Sequence, residues 1–256
     1  MKTDILDTLE HSRNLIISPD MDGFMTAKLI ERFNGSKIVG SYDKNILCLA
    51  DGIDPEQCLF VDCDMNRQEF VSLGNHMRRL EDGMSTESFN PNVHFGITTY
   101  SDKFPFATAF LVSFATEVQT STSDLIRMAF ADSTLRNMEK YEPNMRNWSD
   151  RMDHPAVQYI MDNSDIAKDN DRDARFEYVD QAFVSKRYGK ERYLSTLNNA
   201  LEGQGMKFER LTRGSKYICD KVGIETLIRY NRDIISYAEI FTGEYSVTYD
   251  QEKEWV

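Results

Sequence analysis

Apolar and polar positions fall into short alternating blocks over the first 75 residues. Asn14 to Ser18 (NLIIS) is a brief apolar run, the pattern of a buried strand. Pro19 to Gly23 follow as a polar turn. Phe24 to Phe33 then place Phe24, Ala27 and Ile30, with Leu29 beside them, at the spacing of one helical face. Asn34-Gly35-Ser36 stops that helix. Lys37 to Tyr42 (KIVGSY) predicts a second strand, and residues 43–51 read as a short helix or an irregular link. Asp51-Gly52 and Asp54-Pro55 mark turns. Cys58 to Asp62 is continuously apolar up to its last residue, as a strand covered on both faces is. A fourth strand, Phe70 to Leu73, runs into Gly74-Asn75-His76. Strands separated by helices or crossovers predict a parallel, helix-covered sheet.

Further along, residues 84–99 begin as a polar loop and turn extended over Val93 to Thr98. Asp102-Lys103-Phe104-Pro105 opens a helix, with Pro105 near its first turn and the apolar run Phe106 to Val118 in its body. Thr122-Ser123-Asp124 caps a helix from Leu125 to Phe130, which Ala131-Asp132-Ser133 interrupts. Another helix reaches Lys140, a segment rich in Pro, Asn and Trp reaches Asp153, and Pro155 to Met161 is helical. The polar stretch Asn163 to Asp173 divides the chain into residues 1–163 and 174–256, with 164–173 as a linker; a solvated loop inside one domain is the other reading. The later part predicts helices at Ala174 to Lys186, Arg192 to Glu202 and Val222 to Tyr230. Its strands fall at Lys207 to Leu211 and Tyr217 to Cys219, and a hairpin joins Ile234 to Ile240 with Tyr245 to Tyr249. The expected fold class is α/β: a parallel sheet flanked by helices, with a smaller C-terminal α+β unit.

Charge narrows the partners. The 256 residues carry a formal net charge of -12, which argues against extended duplex nucleic acid and against an anionic membrane surface. A small phosphorylated substrate held by a few local cations and a metal stays open. Bases outnumber acids between about Asn170 and Arg232, so the remainder is more acidic still. The four cysteines, Cys48, Cys58, Cys63 and Cys219, make no C-x-x-C pair and read as reduced residues of a cytoplasmic protein. The first residues lack the apolar run of a signal peptide, and no run reaches the length of a membrane span. An oligomer is compatible with all of this.

The candidate chemistry sits at strand ends. Asp20 and Asp22 follow the first strand, Asp62 and Asp64 end the third, and His76 follows the fourth. Ligands of open α/β sheets bind at the carboxyl edge of the strands. Asp20 and Asp22, alternate residues of a D-x-D-G turn, can converge on one cation; an ordinary turn is the other reading. Carboxylates with an imidazole suit Mn²⁺ or a similar ion. Two such ions bridged by a carboxylate would clamp a phosphate and activate water.

Over Leu15 to Ser133 these residues resemble the DHH phosphoesterases, which include RecJ-type nucleases, nano-RNases, cyclic-dinucleotide phosphodiesterases and pyrophosphatases. The family's H-x-D-x-D-G corresponds to Ser18-Pro19-Asp20-Met21-Asp22-Gly23, and its second motif to Asp62. Its Asp-His-His falls on Gly74-Asn75-His76, and its fourth motif on Asp132. The resemblance implies one ion on Asp22, Asp62, His76 and Asp132, and a second on Asp20 and Asp62. Ser18 stands where the family has a metal-binding His, and Gly74 and Asn75 replace an Asp and a His. The family's G-G-G-H signature is absent; Arg213-Gly214-Ser215-Lys216 is the nearest basic turn. The implied activity is Mn²⁺- or Mg²⁺-dependent phosphodiester hydrolysis, with one or two ions. The implied substrate is a short single-stranded oligonucleotide or a small, even cyclic, nucleotide. Asp62, His76 and Asn75 are the catalytic candidates, and Lys103, His94 and Arg213 the substrate contacts.

Each has a plainer reading. Asp64 caps the following segment, Asn75 turns the chain after Gly74, His94 is solvated, Thr108 only packs, and Lys103 belongs to a capped turn. The rival to hydrolysis is a catalytically silent protein of the same fold that binds a nucleotide or a protein partner. A third reading takes Asp62-Cys63-Asp64 as the D-x-D of a HAD-type phosphatase with Asp62 as nucleophile.

Overall fold

The computed structural model describes residues 1–11, 13–42, 44, 47–78, 83–131, 138–163, 210–211, 216–220, 234–241 and 244–249. The first element is helix α1 (Lys2–Glu10), followed by strand β1 (Asn14–Ile17), helix α2 (Met21–Asn34), β2 (Lys37–Tyr42) and β3 (Leu47–Leu49). Strands β4 (Leu59–Val61) and β5 (Val71–Leu73) come next. Helices α3 (Pro91–His94), α4 (Thr108–Thr116), α5 (Thr122–Ala131), α6 (Met138–Met152) and α7 (Pro155–Asp162) follow. The C-terminal strands are β6 (Arg210–Leu211), β7 (Lys216–Asp220), β8 (Ile234–Phe241) and β9 (Glu244–Tyr249).

The main sheet has the order β5-β4-β1-β2-β3-β6. Strands β5, β4, β1 and β2 run parallel; β3 pairs antiparallel with β2, and β6 pairs antiparallel with β3 at the edge. The expected α/β architecture is therefore present, with a second, antiparallel sheet in the order β7-β9-β8. Along β1, Leu15 and Ile17 enter the core under the helices while Ile16 enters the core on the opposite face. Leu59 and Val61 of β4 do the same, with Phe60 opposite. That two-sided burial explains why these strands read as unbroken apolar runs.

The two faces are covered differently. Apolar residues of α1, α2, α4, α6 and α7, among them Leu9, Ile30, Phe110, Trp148 and Val157, form the larger core. On the other face Val39, Tyr42, Phe60, Cys63 and Met65 pack with Ile235 of β8. The Tyr42 and Ser236 hydroxyls are 2.8 Å apart, and the Asn66 N–H donates to Ile235 O at 2.6 Å. Together with β6, which pairs with β3, these contacts tie the C-terminal strands into the core of the first sheet.

Several elements depart from the sequence pattern. Residues 47–49 are a strand, not a helix or irregular link. Val93 and His94, expected to begin an extended segment, instead close a helical turn over residues 91–94: Pro91 opens it and the Asn90 side chain accepts from the N–H groups of Asn92 and Val93. The helix expected from Asp102 starts at Thr108. The chain before it is held in another shape, because Phe104 N–H donates to Asn92 Oδ1 at 2.6 Å and Asn75 Nδ2 donates to Phe106 O at 2.7 Å. The segment after Lys140 continues as α6 to Met152, with Pro143 inside it. From α6, Trp148 Nε1 donates to Asp102 O at 2.9 Å and Asn144 Nδ2 to Lys103 O at 2.7 Å, which pins the approach to α4. The hairpin expected at 234–249 is β8–β9. The linker 164–173, the helices expected at 174–186, 192–202 and 222–230, Asp132 and Arg213 lie outside the described residues.

Candidate functional site

After β1 the chain crosses through α2 to β2, yet β4 pairs with β1 on its other side. The strand order therefore reverses between β1 and β4, the place where open α/β sheets leave a crevice at their carboxyl ends. The rim is closely knit there: Ser18 N–H donates to Val61 O at 2.9 Å and Asp62 N–H to Leu73 O at 2.8 Å. Asp20 and Asp22 leave one side of the reversal, and Asp62 and Asp64 the other. The four carboxylates expected at one rim are brought to it.

Asp20 is the N-cap of α2, exposed, with Oδ1 accepting from Gly23 N–H at 3.0 Å and Oδ2 from the Ser18 hydroxyl at 2.7 Å. Ser18 thus serves Asp20. Gly23 is required by space. A Cβ there would lie 2.2 Å from Ser18 O, so the residue just after β1 can sit against the first turn of α2 only over a glycine.

Asp22 is buried at 4 % exposure. Its Oδ2 accepts from Thr108 N–H at 2.7 Å, and its Oδ1 from Ala109 N–H at 3.0 Å and the Thr26 hydroxyl at 3.1 Å. The first N–H groups of a helix have no partner inside it and carry the positive end of its dipole. Asp22 fills that anion position on α4. A phosphate approaching this helix start would meet a carboxylate already in place. Asp62 is buried too, at 5 %, in the left-handed region at φ 56°, and its Oδ1 accepts from the Thr108 hydroxyl at 2.8 Å. Asp22 and Asp62 therefore stand side by side on one threonine, a residue the sequence pattern assigned only to packing.

Asp64 does not cap a helix. It is buried at 4 %, and its Oδ2 lies 2.7 Å from His76 Nδ1 and 3.2 Å from the His76 N–H, while Asn90 Nδ2 donates to Oδ1 at 2.5 Å. Burial alone would raise its pKa. The hydrogen bond and charge of His76, the Arg78 guanidinium and Asn90 outweigh that and hold it below the ordinary carboxylate value. Arg78 is buried, donates to Met65 O and Asn66 Oδ1, and lies over the Tyr237 ring of β8. Cys63, between the two acids, is buried, and burial followed by the Asp62 charge pushes its thiol up. It packs in the core on that face of the sheet.

Asn75 is buried, with its amide on Phe106 O and its carbonyl accepting from Asn92 Nδ2 at 2.7 Å, so it shapes the loop. His94 lies 4.0 Å from Asp4 of α1 and between the rings of Phe89 and Phe95. The Lys103 ammonium sits over the Tyr100 ring at 5.0 Å. Asn90 and Asn92 were not singled out in the sequence. The Asn90-Pro91 pair carried a capping signal, but nothing local marks an amide that reaches back to Asp64.

Oxygen donors with an imidazole suit Mn²⁺ or a similar borderline ion, so the set fits that ion in chemistry. In arrangement it comes as two pairs, Asp22 with Asp62 and His76 with Asp64. Among the described residues no three His, Cys, Asp or Glu side chains gather as an ion site. Compared with known proteins, the chain matches no family model, no curated protein and no solved structure. No helix among the described residues is long and apolar enough to cross a membrane.

Proposed function

We propose that the protein is a metal-dependent phosphodiester hydrolase with a DHH-like site, acting on a short single-stranded oligonucleotide or a small nucleotide. One observation carries this reading. Four aspartates and a histidine follow the strand ends at the strand-order reversal of a parallel sheet, arranged as the pairs Asp22 with Asp62 and Asp64 with His76 and with Asp20 on the α2 cap, three of the acids buried. Asp22, Asp62 and His76, with Asp132, would hold the ion. It would supply positive charge against the phosphate oxygens and lower the pKa of a water. Thr108 spaces Asp22 and Asp62, and Asp64 holds His76 by one ring nitrogen. Lys103, beside Tyr100, is the described cation assigned to the substrate phosphate.

The second reading, a silent protein of this fold that binds a nucleotide or a protein, is favoured by the hydrogen bonds of Asp22. A carboxylate that closes a helix start is fully used by the fold. The two separate on one pair of samples. Wild type and Asp62→Asn are titrated with Mn²⁺ in equilibrium dialysis and assayed on bis(p-nitrophenyl) phosphate and short oligonucleotides. Turnover that needs Mn²⁺ and is lost in a folded Asp62→Asn protein supports the hydrolase. A folded wild type without turnover on any of these substrates rejects it in favour of the silent reading.

A further inference from the structure

We infer that Asp64 is the positioning residue of this site: it fixes the tautomer and direction of the His76 imidazole, in space that Gly74 leaves open. What His76 then does rests on the hydrolase reading; the positioning does not.

The geometry is a clamp with two jaws. One jaw is the Asp64 carboxylate, on both the ring and the main chain of His76 through Oδ2. The other is Asn90, whose Nδ2 donates to Asp64 Oδ1 and, at 2.8 Å, to His76 O. Asn90 cannot swing away freely, because its Oδ1 caps α3 on the N–H groups of Asn92 and Val93. The ring and both main-chain polar groups of His76 are thereby fixed by two buried side chains.

Gly74 makes the clamp possible. A Cβ on residue 74 would lie 2.5 Å from Asp64 Oδ2 and 2.7 Å from its Cγ. No side chain fits there while Asp64 holds His76. The glycine that departs from the resembled motif is thus the space into which a carboxylate from the segment after β4 reaches.

The chemical consequence follows from the donor inventory. An ionised carboxylate only accepts, so the nitrogen facing it carries the proton. That makes Nδ1 the N–H and leaves Nε2 with the lone pair. The His76 side chain is 25 % exposed, so the ring is only partly covered. A histidine held through one nitrogen by a carboxylate presents the other to an ion or to a substrate proton.

The test reads the tautomer directly. The full chain has four histidines, so a long-range ¹H–¹⁵N spectrum of imidazole-labelled protein is short enough to assign, with His76→Gln marking the His76 signals. It is recorded above the ordinary imidazole range so that neutral rings are compared. Wild type is expected to show His76 as the Nδ1–H form. Asp64→Asn cannot satisfy His76 and Asn90 together in either amide orientation, and Gly74→Ala displaces the carboxylate without changing any charge. Both are expected to shift His76 towards the Nε2–H form. A wild-type His76 already in the Nε2–H form overturns the inference, and needs no variant to fold. Folded variants that keep Nδ1–H overturn it too. On the same samples, Asp64→Asn is expected to weaken Mn²⁺ affinity or turnover about 10- to 100-fold. A locked tautomer in a wild type without turnover supports the positioning and counts against the hydrolase reading alone.

Discussion

Truncating Asp22 to alanine asks what a rim carboxylate is for. The change leaves the N–H groups of Thr108 and Ala109 without their acceptor and strips the Thr26 hydroxyl of one as well. Loss of an N-cap acceptor costs about 1 kcal/mol on its own. A buried donor left unsatisfied costs about 1–3 kcal/mol. Two donors, with some relief from water entering the space of the lost carboxylate, put Asp22→Ala at about 2–4 kcal/mol of lost stability. At about 2–4 °C per kcal/mol for a chain of this size, Tm falls by roughly 5–15 °C. Asp22→Asn keeps one acceptor but points an NH₂ at a donor, so its loss lies between wild type and alanine. Urea unfolding of the three proteins measures this as a shift of midpoint at constant slope. An alanine variant within about 0.5 kcal/mol of wild type would refute the helix-closing role. A gain in stability would go further, since it would mark an acid kept for a ligand at the expense of the fold.

Other expectations are quicker to state. Gly23→Ala drives a methyl into Ser18 O and should cost about 1–3 kcal/mol by overpacking, read from the urea midpoint; a neutral result would mean the strand–helix junction yields easily. Asn90→Ala should destabilise by about 1–3 kcal/mol, because it removes a cap and unmakes the bonds to Asp64 and His76 O; an unchanged Tm would contradict the clamp. His154 titrates below its ordinary value because burial, and then the Lys2 charge, disfavour the imidazolium. Its folded pKa is the lower one, so its contribution is whole above about 6.5 and declines as pH falls below that towards the folded pKa. His154→Gln should therefore flatten the loss of stability on acidification from neutral pH, measured by urea midpoints across that range. An identical pH slope in the variant would contradict it.

The parts of the fold legible in the sequence were those whose cause is local. The runs at 14–18 and 58–62 announced buried strands because both faces of the sheet are covered. The hairpin at 234–249 announced itself by two β-rich runs around a glycine turn. The start of α4 was misplaced because its cause is remote: side chains of Asn75 and Asn92 take the main-chain groups of Phe104 and Phe106, and Asp22 closes the first turn from a different strand end. The same distinction runs through the site. Strand-end aspartates could be counted from spacing and placed on one rim. Their partners could not, because nothing local in Thr108, Asn90 or Gly74 announces these contacts until the loops are folded against one another. Asp64 is the clearest case. Its neighbours suggest a cap, and its role appears only with His76 and the gap at Gly74 beside it.

The central claim is that this rim serves a divalent cation in phosphodiester hydrolysis. Its most direct test is Mn²⁺ binding by the full-length chain in equilibrium dialysis, with hydrolysis of bis(p-nitrophenyl) phosphate followed on the same dialysed samples. The account expects saturable binding of one or two ions, turnover that rises with occupancy, and loss of both in Asp62→Asn without loss of fold. Folded wild-type protein that binds no Mn²⁺ and hydrolyses nothing would contradict it, and the rim aspartates would then stand as structural acids closing helices and holding loops.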